Sequence, residues 1–341
     1  MNQYKLKLAR DETMVFVSMG LRLRVEVEAL NMVEALGAYT RHRTVAILRK
    51  ITRDGVPIYR IVTVPAISGQ SIANGYMRVL VELAKHYKLE VCDECSEYEK
   101  RGGFTKHGTF KEKIEHDYLV KKCIVEDLTG FMVPEAQIRR TSPVMFSYMA
   151  PDLEGAKATI ESQFHVRYDF TSQKHQPFNI ESGTAIYMLL IGIDVSRIGK
   201  LENGGYVDNR LKRIEVALKG IGVLLESFSF GAKKSRYLPV EEIVGAIVAV
   251  SNPIPFMVSP PRVHPDRNYI KDTLLRAKKY SEMLSDLNEK IYIVYLDKEG
   301  LKVDIDIDPK GSKDGINVVR VETFSELIEK VWETVRNIVT Q

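Results

Sequence analysis

Basic and hydroxyl-bearing residues gather at several separated points of this chain. Arg41, His42 and Arg43 stand together, and Ser68, Gly69, Gln70 and Ser71 form a second group. Arg139 and Arg140 precede Thr141 and Ser142. His165 and Arg167 alternate with apolar residues in Gln163-Phe164-His165-Val166-Arg167-Tyr168, and Lys233, Lys234 and Arg236 follow Gly231. Cationic groups beside short hydroxyl and backbone donors supply what phosphate oxygens need. The Ser68 group also opens a helical pattern, whose free N–H groups favour an anion. Folded onto one side of the molecule, these groups would line a groove that tracks the phosphate backbone of a single strand. For any one cluster taken alone, solvated surface is the plainer account.

Two other chemistries are open. His165 or His42 could act as general base on a ribose 2′-hydroxyl, with a nearby Lys or Arg stabilising the phosphorane, and such cleavage needs no metal. A histidine in a groove for RNA serves more often as a hydrogen-bond or stacking contact. Cys92-x-x-Cys95, with Cys123 and either His107 or His116, offers four soft ligands for a structural zinc, although the spacing after the first pair is loose. Asp304, Asp306 and Asp308 alternate and are read as exposed strand carboxylates rather than a cation site. The P-loop, dinucleotide-binding and zinc-protease patterns are absent, as is the nucleophile-elbow pattern. No cofactor is expected.

Alternation predicts a long strand over residues 14–30, with Leu21, Leu23, Val25 and Val27 on one face and Arg22, Arg24, Glu26 and Glu28 on the other. A hairpin follows, Val45–Ile51 and Pro57–Val64 around Asp54-Gly55, a pair suited to a type I′ turn. Ser68 caps a helix to about Tyr87. Residues 88–122 are highly charged and poor in periodic apolar positions, so residues 88–150 are read as an inserted subdomain. The strand over 158–169 is expected to place Phe164 and Val166 on the core, with His165 and Arg167 outward. It and the apolar strand at 184–194 flank the polar loop 171–177, so residues 165–185 are expected to protrude as an arm. A helix from Asp208 to Ser227, with Leu211, Ile214, Leu218, Ile221 and Leu225 inward, precedes a strand near 243–250. Helices near 267–286 and 323–339 and strands at 291–296 and 301–307 complete the chain. This order suits an α+β fold, a modified ferredoxin-like (RRM-like) core with large insertions, in a single domain over 1–341. The aromatic RNA-binding pattern of RRM sheets does not occur, which favours backbone binding over base stacking on the sheet.

The 341 residues are 45% hydrophobic, enough for a substantial core, and the net charge of +4 permits a nucleic-acid partner without demanding one. Three cysteines point to a reducing compartment. With no apolar run long enough to span a bilayer and no signal-like start, a cytoplasmic protein is expected, with no membrane partner.

Thr40-Arg41-His42-Arg43-Thr44, Val64-Pro65-Ala66-Ile67-Ser68-Gly69, Arg139-Arg140-Thr141-Ser142, Gln163-Phe164-His165-Val166-Arg167 and Lys233-Lys234-Ser235-Arg236-Tyr237-Leu238-Pro239 occur in that order. Together they resemble the backbone subunit of archaeal type I-A CRISPR surveillance complexes (Cascade), a DevR-type branch of the RAMP superfamily. The resemblance spans roughly residues 14–260 and omits the cysteines. It implies a crescent or hand shape and a non-catalytic role. Copies would stack head to tail along one CRISPR RNA, beside other Cascade subunits, and present the guide for pairing with target DNA. Arg41, His42, Arg43, Ser68, Gly69, Gln70, Ser71, Arg139, Arg140, Thr141, His165, Arg167, Lys233, Lys234 and Arg236 are then the expected RNA contacts. His165 would hydrogen-bond ribose or phosphate, or stack, and Arg140 and Lys234 would neutralise phosphates. The loop 171–177 would be the arm that presses on a neighbouring copy. A sister RAMP protein, a metal-independent endoribonuclease trimming CRISPR repeats, is the rival reading.

Overall fold

The structure, a computed structural model, describes residues 14–106, 115–265, 267–287, 289–303 and 316–340. Strand β1 (Phe16–Glu28) leads to β2 (Met32–Leu36), β3 (Tyr39–His42), β4 (Thr44–Arg53) and β5 (Val56–Pro65), and then to helix α1 (Gly69–Tyr87). Short elements follow: α2 (Asp93–Ser96), α3 (His116–Lys122), α4 (Ile124–Thr129), β6 (Phe131–Val133), β7 (Ile138–Arg140), β8 (Val144–Phe146) and β9 (Ala150–Pro151). The long pair β10 (Thr159–Asp169) and β11 (Lys174–Asp194) precedes α5 (Arg210–Glu226) and β12 (Val240–Asn252). The chain ends with β13 (Val263–His264), β14 (Arg267–Asn268), α6 (Tyr269–Met283), β15 (Lys290–Asp297), β16 (Ile316–Val321) and α7 (Phe324–Val339).

The main sheet is mixed, in the order β16-β15-β12-β1-β11-β3-β2, with β8, β9 and β10 also paired to β11. The β15–β16 and β11–β3 pairs are parallel. Leu21, Leu23 and Val25 pack with Ile72, Tyr76 and Leu80 of α1, Ile214, Leu218 and Ile221 of α5 and Leu327 and Val331 of α7. On the opposite face, Ile247 of β12 and Ile293 of β15 pack with Ile270 and Leu274 of α6. A Cβ on Gly220 of α5 would lie 2.9 Å from the Tyr76 ring, so glycine lets these two helices approach. Among the described residues no helix is long and apolar enough to cross a membrane.

The expected faces of β1 are corrected at two places. Arg22 is covered rather than solvated, paired with Asp152 at 2.5 Å and Glu299 at 2.6 Å. The pairing register with β11 shifts between Val25 and Glu28, and Val27 takes a φ of 54°. That irregularity turns Val27 outward and swings Glu28 into the interior, as a bulge re-aims side chains. Leu211 of α5 is exposed instead of inward. The Asp54-Gly55 hairpin forms as expected, with φ of 51° and 78° at the two turn residues.

Candidate nucleic-acid interface

The β10–β11 pair runs in register from Thr159↔Thr184 to Asp169↔Lys174, leaving only Phe170–Gln173 as its tip. The expected polar loop is therefore shorter than 171–177, since Lys174, Gln176 and Pro177 are strand residues. On β10 the expectation is reversed for Phe164, Val166 and His165, while Arg167 is exposed as expected. Phe164 and Val166 are exposed (67% and 54%), as are Tyr168 and Phe170. His165 instead faces protein: it stacks on Phe178 with ring centres 5.2 Å apart, and Nε2 hydrogen-bonds the Tyr237 hydroxyl. Alternation separates two faces but does not say which one finds a cover. Here the cover is the loop after Phe230, which the isolated strand pattern does not contain.

An open cleft of about 730 Å³ lies against this loop, lined by Thr40, Arg167, Gln176, Phe178, Lys233, Ser235, Arg236 and Tyr237 among others. Arg167 donates to Gln176 Oε1 at 3.0 Å, its cross-strand partner. Lys233 and Arg236 are exposed. A second open cleft, of about 370 Å³, is lined by Asn31, Arg43, Ser68, Gln70, Ser71, Asn74, Arg78, Gly231 and Ala232. Both clefts abut the Gly231–Tyr237 segment, so one loop borders them both. Gly231, at φ 81°, makes the turn: a Cβ there would lie 2.7 Å from Leu30 Cβ. Its position is fixed by Ala232 N donating to Leu30 O at 2.9 Å.

Ser68 acts as the helix cap, its Oγ accepting from Ser71 N at 3.2 Å, while Ser68 N donates to Asn31 Oδ1 at 2.8 Å. Gly69 serves packing: a Cβ there would meet Phe146 O at 2.5 Å. Arg43 Nε is buried with no hydrogen-bond partner among the described residues, a donor left available at the edge of the second cleft.

Several expected contacts lie elsewhere. His42 is buried, with Nε2 2.6 Å from Glu28 Oε1 and Nδ1 2.7 Å from Arg43 O. Both ring nitrogens face acceptors, which fits an imidazolium. Burial lowers its pKa, but Glu28 and the Arg43 carbonyl outweigh this and hold it above the usual histidine value. Arg140 is also buried. It donates to Asp127 at 2.5 Å, to the Lys200 carbonyl at 3.1 Å, and to the Asp127 and Arg197 carbonyls. Asp127 also accepts from Arg213 at 2.9 Å. A guanidinium so enclosed ties the 88–150 segment to the chain before α5 and turns four of its five N–H groups to protein acceptors, not to a phosphate. Lys234 is half-buried and turns back to donate to Phe228 O, and burial lowers its pKa. Arg41, Arg139 and Thr141 are exposed but line neither cleft. Asn31, Asn74, Arg78 and Tyr237 border the clefts and escaped the sequence reading. The first three stand singly among unlike neighbours, so no cluster marked them.

Cys92, Cys95 and Cys123 do converge, with sulfur atoms all within 4.8 Å of one another. His116 is not among them; it lies beside Asp117 and Glu202. His107, Asp304, Asp306 and Asp308 lie outside the described residues.

Comparisons with known proteins bear on this geometry. Residues 19–274 match the model of the family described as CRISPR-associated negative auto-regulator DevR/Csa2. A relative from Saccharolobus solfataricus named CRISPR-associated protein Cas7/Csa2 1 is 34% identical, over 86% of this chain and 96% of that protein. A second, from the same organism and named CRISPR-associated aCascade subunit Cas7/Csa2 2, is 32% identical over 93% of this chain and 99% of its own length. A chain of a solved CRISPR RNA-guided surveillance complex aligns with a TM-score of 0.49 and 12% identity, covering 94% of this chain and 99% of that one. The family match and the two relatives establish that this chain belongs to the CRISPR-associated DevR/Csa2 (Cas7/Csa2) family.

Proposed function

We propose that this chain is a non-catalytic backbone subunit of an RNA-guided surveillance complex, which holds CRISPR RNA along the two clefts joined by the Gly231–Tyr237 loop. The carrying observation is their lining: Arg43, Gln70, Ser71 and Arg78 on one side of the loop, Arg167, Lys233 and Arg236 on the other. Cations and short polar donors along one path suit phosphate and ribose, and they leave base edges free to pair with a target. The relative named as an aCascade subunit supports membership of such a complex, beside other subunits.

A modified ferredoxin-like core is supported by the run β1–α1–β10–β11–α5–β12, whose strands lie side by side as β12-β1-β11-β10 and are antiparallel throughout. The arm is the β10–β11 tip with its open apolar row Phe164, Val166, Tyr168 and Phe170. A second copy stacked head to tail would cover that row, and a contact of this kind that does not close yields a filament.

The nuclease reading is the weaker one. His42 is enclosed with both ring nitrogens engaged, and the His165 ring is held between Phe178 and Tyr237. Natively purified protein is expected to co-elute with small RNA of uniform length, and to leave labelled repeat RNA intact in EDTA. RNA-free protein whose affinity for single-stranded RNA does not change with salt would overturn the proposal. Specific cut products that vanish in His165→Ala would overturn its non-catalytic part.

A further inference from the structure

The three cysteines lie in the segment between α1 and β6, away from both clefts. Their convergence is built by the backbone. Ile124 N donates to Glu90 O at 3.0 Å, which ties the start of α4 to the strand of chain entering Cys92. Cys95 N and Ser96 N both donate to Cys92 O, at 3.2 and 2.9 Å, closing the Cys92-x-x-Cys95 turn so that both sulfurs face the same side. Cys123 stands at the junction of α3 and α4, as the residue that ends one helix and precedes the other.

We propose that Cys92, Cys95 and Cys123 hold a structural zinc ion as three thiolate ligands. A tetrahedral zinc with sulfur at about 2.3 Å sets its sulfurs about 3.8 Å apart. The sulfurs here, within 4.8 Å, need to close by about 1 Å at most, which side-chain rotation supplies. The fourth position falls to a ligand other than cysteine. Cys95 and Cys123 are buried while Cys92 is half-buried, so solvent approaches from the Cys92 side.

Lys106 Nζ donates to the Thr129 and Gly130 carbonyls at 3.0 Å each, which ties the chain that follows the Cys92-x-x-Cys95 turn to the end of α4. A metal also answers a local need: the segment has only a small core of its own, including Leu119, Val120, Phe131 and Val133. A disulfide is the competing chemistry. It would pair two of the three sulfurs and leave an odd thiol.

The test uses the full chain, expressed in zinc-supplemented medium and purified without chelator or reductant. Elemental analysis is expected to find about one zinc per chain. A mercurial reagent should release that zinc from the wild-type protein as its thiols react, and a strong chelator should lower its Tm. Cobalt exchanged into the site should show thiolate-to-metal charge transfer with the visible bands of tetrahedral coordination. Cys95→Ser and Cys123→Ser should each lose most of the metal. The zinc assay on wild-type protein stands even where those variants fold poorly. Folded, RNA-binding wild-type protein with only background zinc would overturn the proposal, whether its three thiols react freely or its mass reveals a disulfide.

Discussion

The imidazole of His165 and the hydroxyl of Tyr237, 72 residues apart, are hydrogen-bonded, joining β10 to the loop that borders both clefts. The bond fixes the ring and the loop together. Tyr237→Phe keeps the aromatic body and removes the oxygen. Its expected effect on RNA affinity is a rise in Kd of about fivefold, the worth of one net hydrogen bond of about 1 kcal/mol. Fluorescence anisotropy with a labelled single strand measures it. An unchanged Kd would mean that the loop holds its place without this bond.

The clefts and the buried cations make opposite claims about salt. Lys233→Ala and Arg236→Ala should each weaken binding by a similar factor for all RNA sequences. Each should also lower the slope of log K against log salt by about 0.7, the single-strand value for one phosphate contact. Titrations at several salt concentrations, on two unrelated sequences, decide this. A loss that depends strongly on sequence would point to base readout and away from the backbone path.

Arg140→Ala should behave differently, since Arg140 is enclosed with Asp127. Removing it leaves the Asp127 carboxylate inside with Arg213 and the Gly199 N–H, and breaking a buried pair of this kind costs about 3–5 kcal/mol. Denaturant unfolding should show the loss. The salt slope of whatever protein still folds should match the wild type. A slope reduced by a full phosphate contact would return Arg140 to the interface.

What could be read from the chain alone follows a simple physical division. Local rules sufficed where the determinants are local. Asp54-Gly55 makes its turn because both residues accept positive φ, and Ser68 caps α1 through its own hydroxyl. Leu21, Leu23 and Val25 lie inward as their alternation requires. Several of the failures involve a partner elsewhere in the chain. Arg22 looked solvated because Asp152 and Glu299 are distant, and Arg140 for the same reason with Asp127 as its partner. Glu28 left its expected face through a bulge that alternation cannot announce. Of the groove residues, Arg167, Lys233 and Arg236 stood in visible clusters, whereas Asn31 and Arg78 became visible only when the Gly231 turn brought the loop to them.

The apolar row on the arm should separate single-copy binding from stacking. Phe164→Ser and Phe170→Ser alter residues that are 67% and 85% exposed, so fold stability should change by less than about 0.5 kcal/mol. Affinity for an RNA just long enough for one copy should stay near wild type. On a long RNA, cooperative loading should weaken, seen as smaller assemblies in sedimentation. Equal loading on long RNA would remove the arm from the contact between copies.

The His42–Glu28 pair makes a prediction about pH. Burial lowers the histidine pKa, but Glu28 at 2.6 Å, the Arg43 carbonyl and the nearby Glu181 together raise it above the ordinary value near 6.5. The native state therefore holds this proton at pH values where the unfolded chain has released it. The stability so contributed is fully present below about pH 6.5 and is lost as pH rises through the raised native value. Glu241, which burial pushes up to about 7, releases its proton in the same region and acts with the same sign, so wild-type protein alone cannot isolate the pair. The difference between wild type and His42→Gln can. The variant should be less stable at low pH, and its deficit should shrink as pH rises from about 6 to about 9, read as Tm by circular dichroism. A deficit constant across that range would mean that His42 is neutral in the native protein, with Glu28 balanced by some other group.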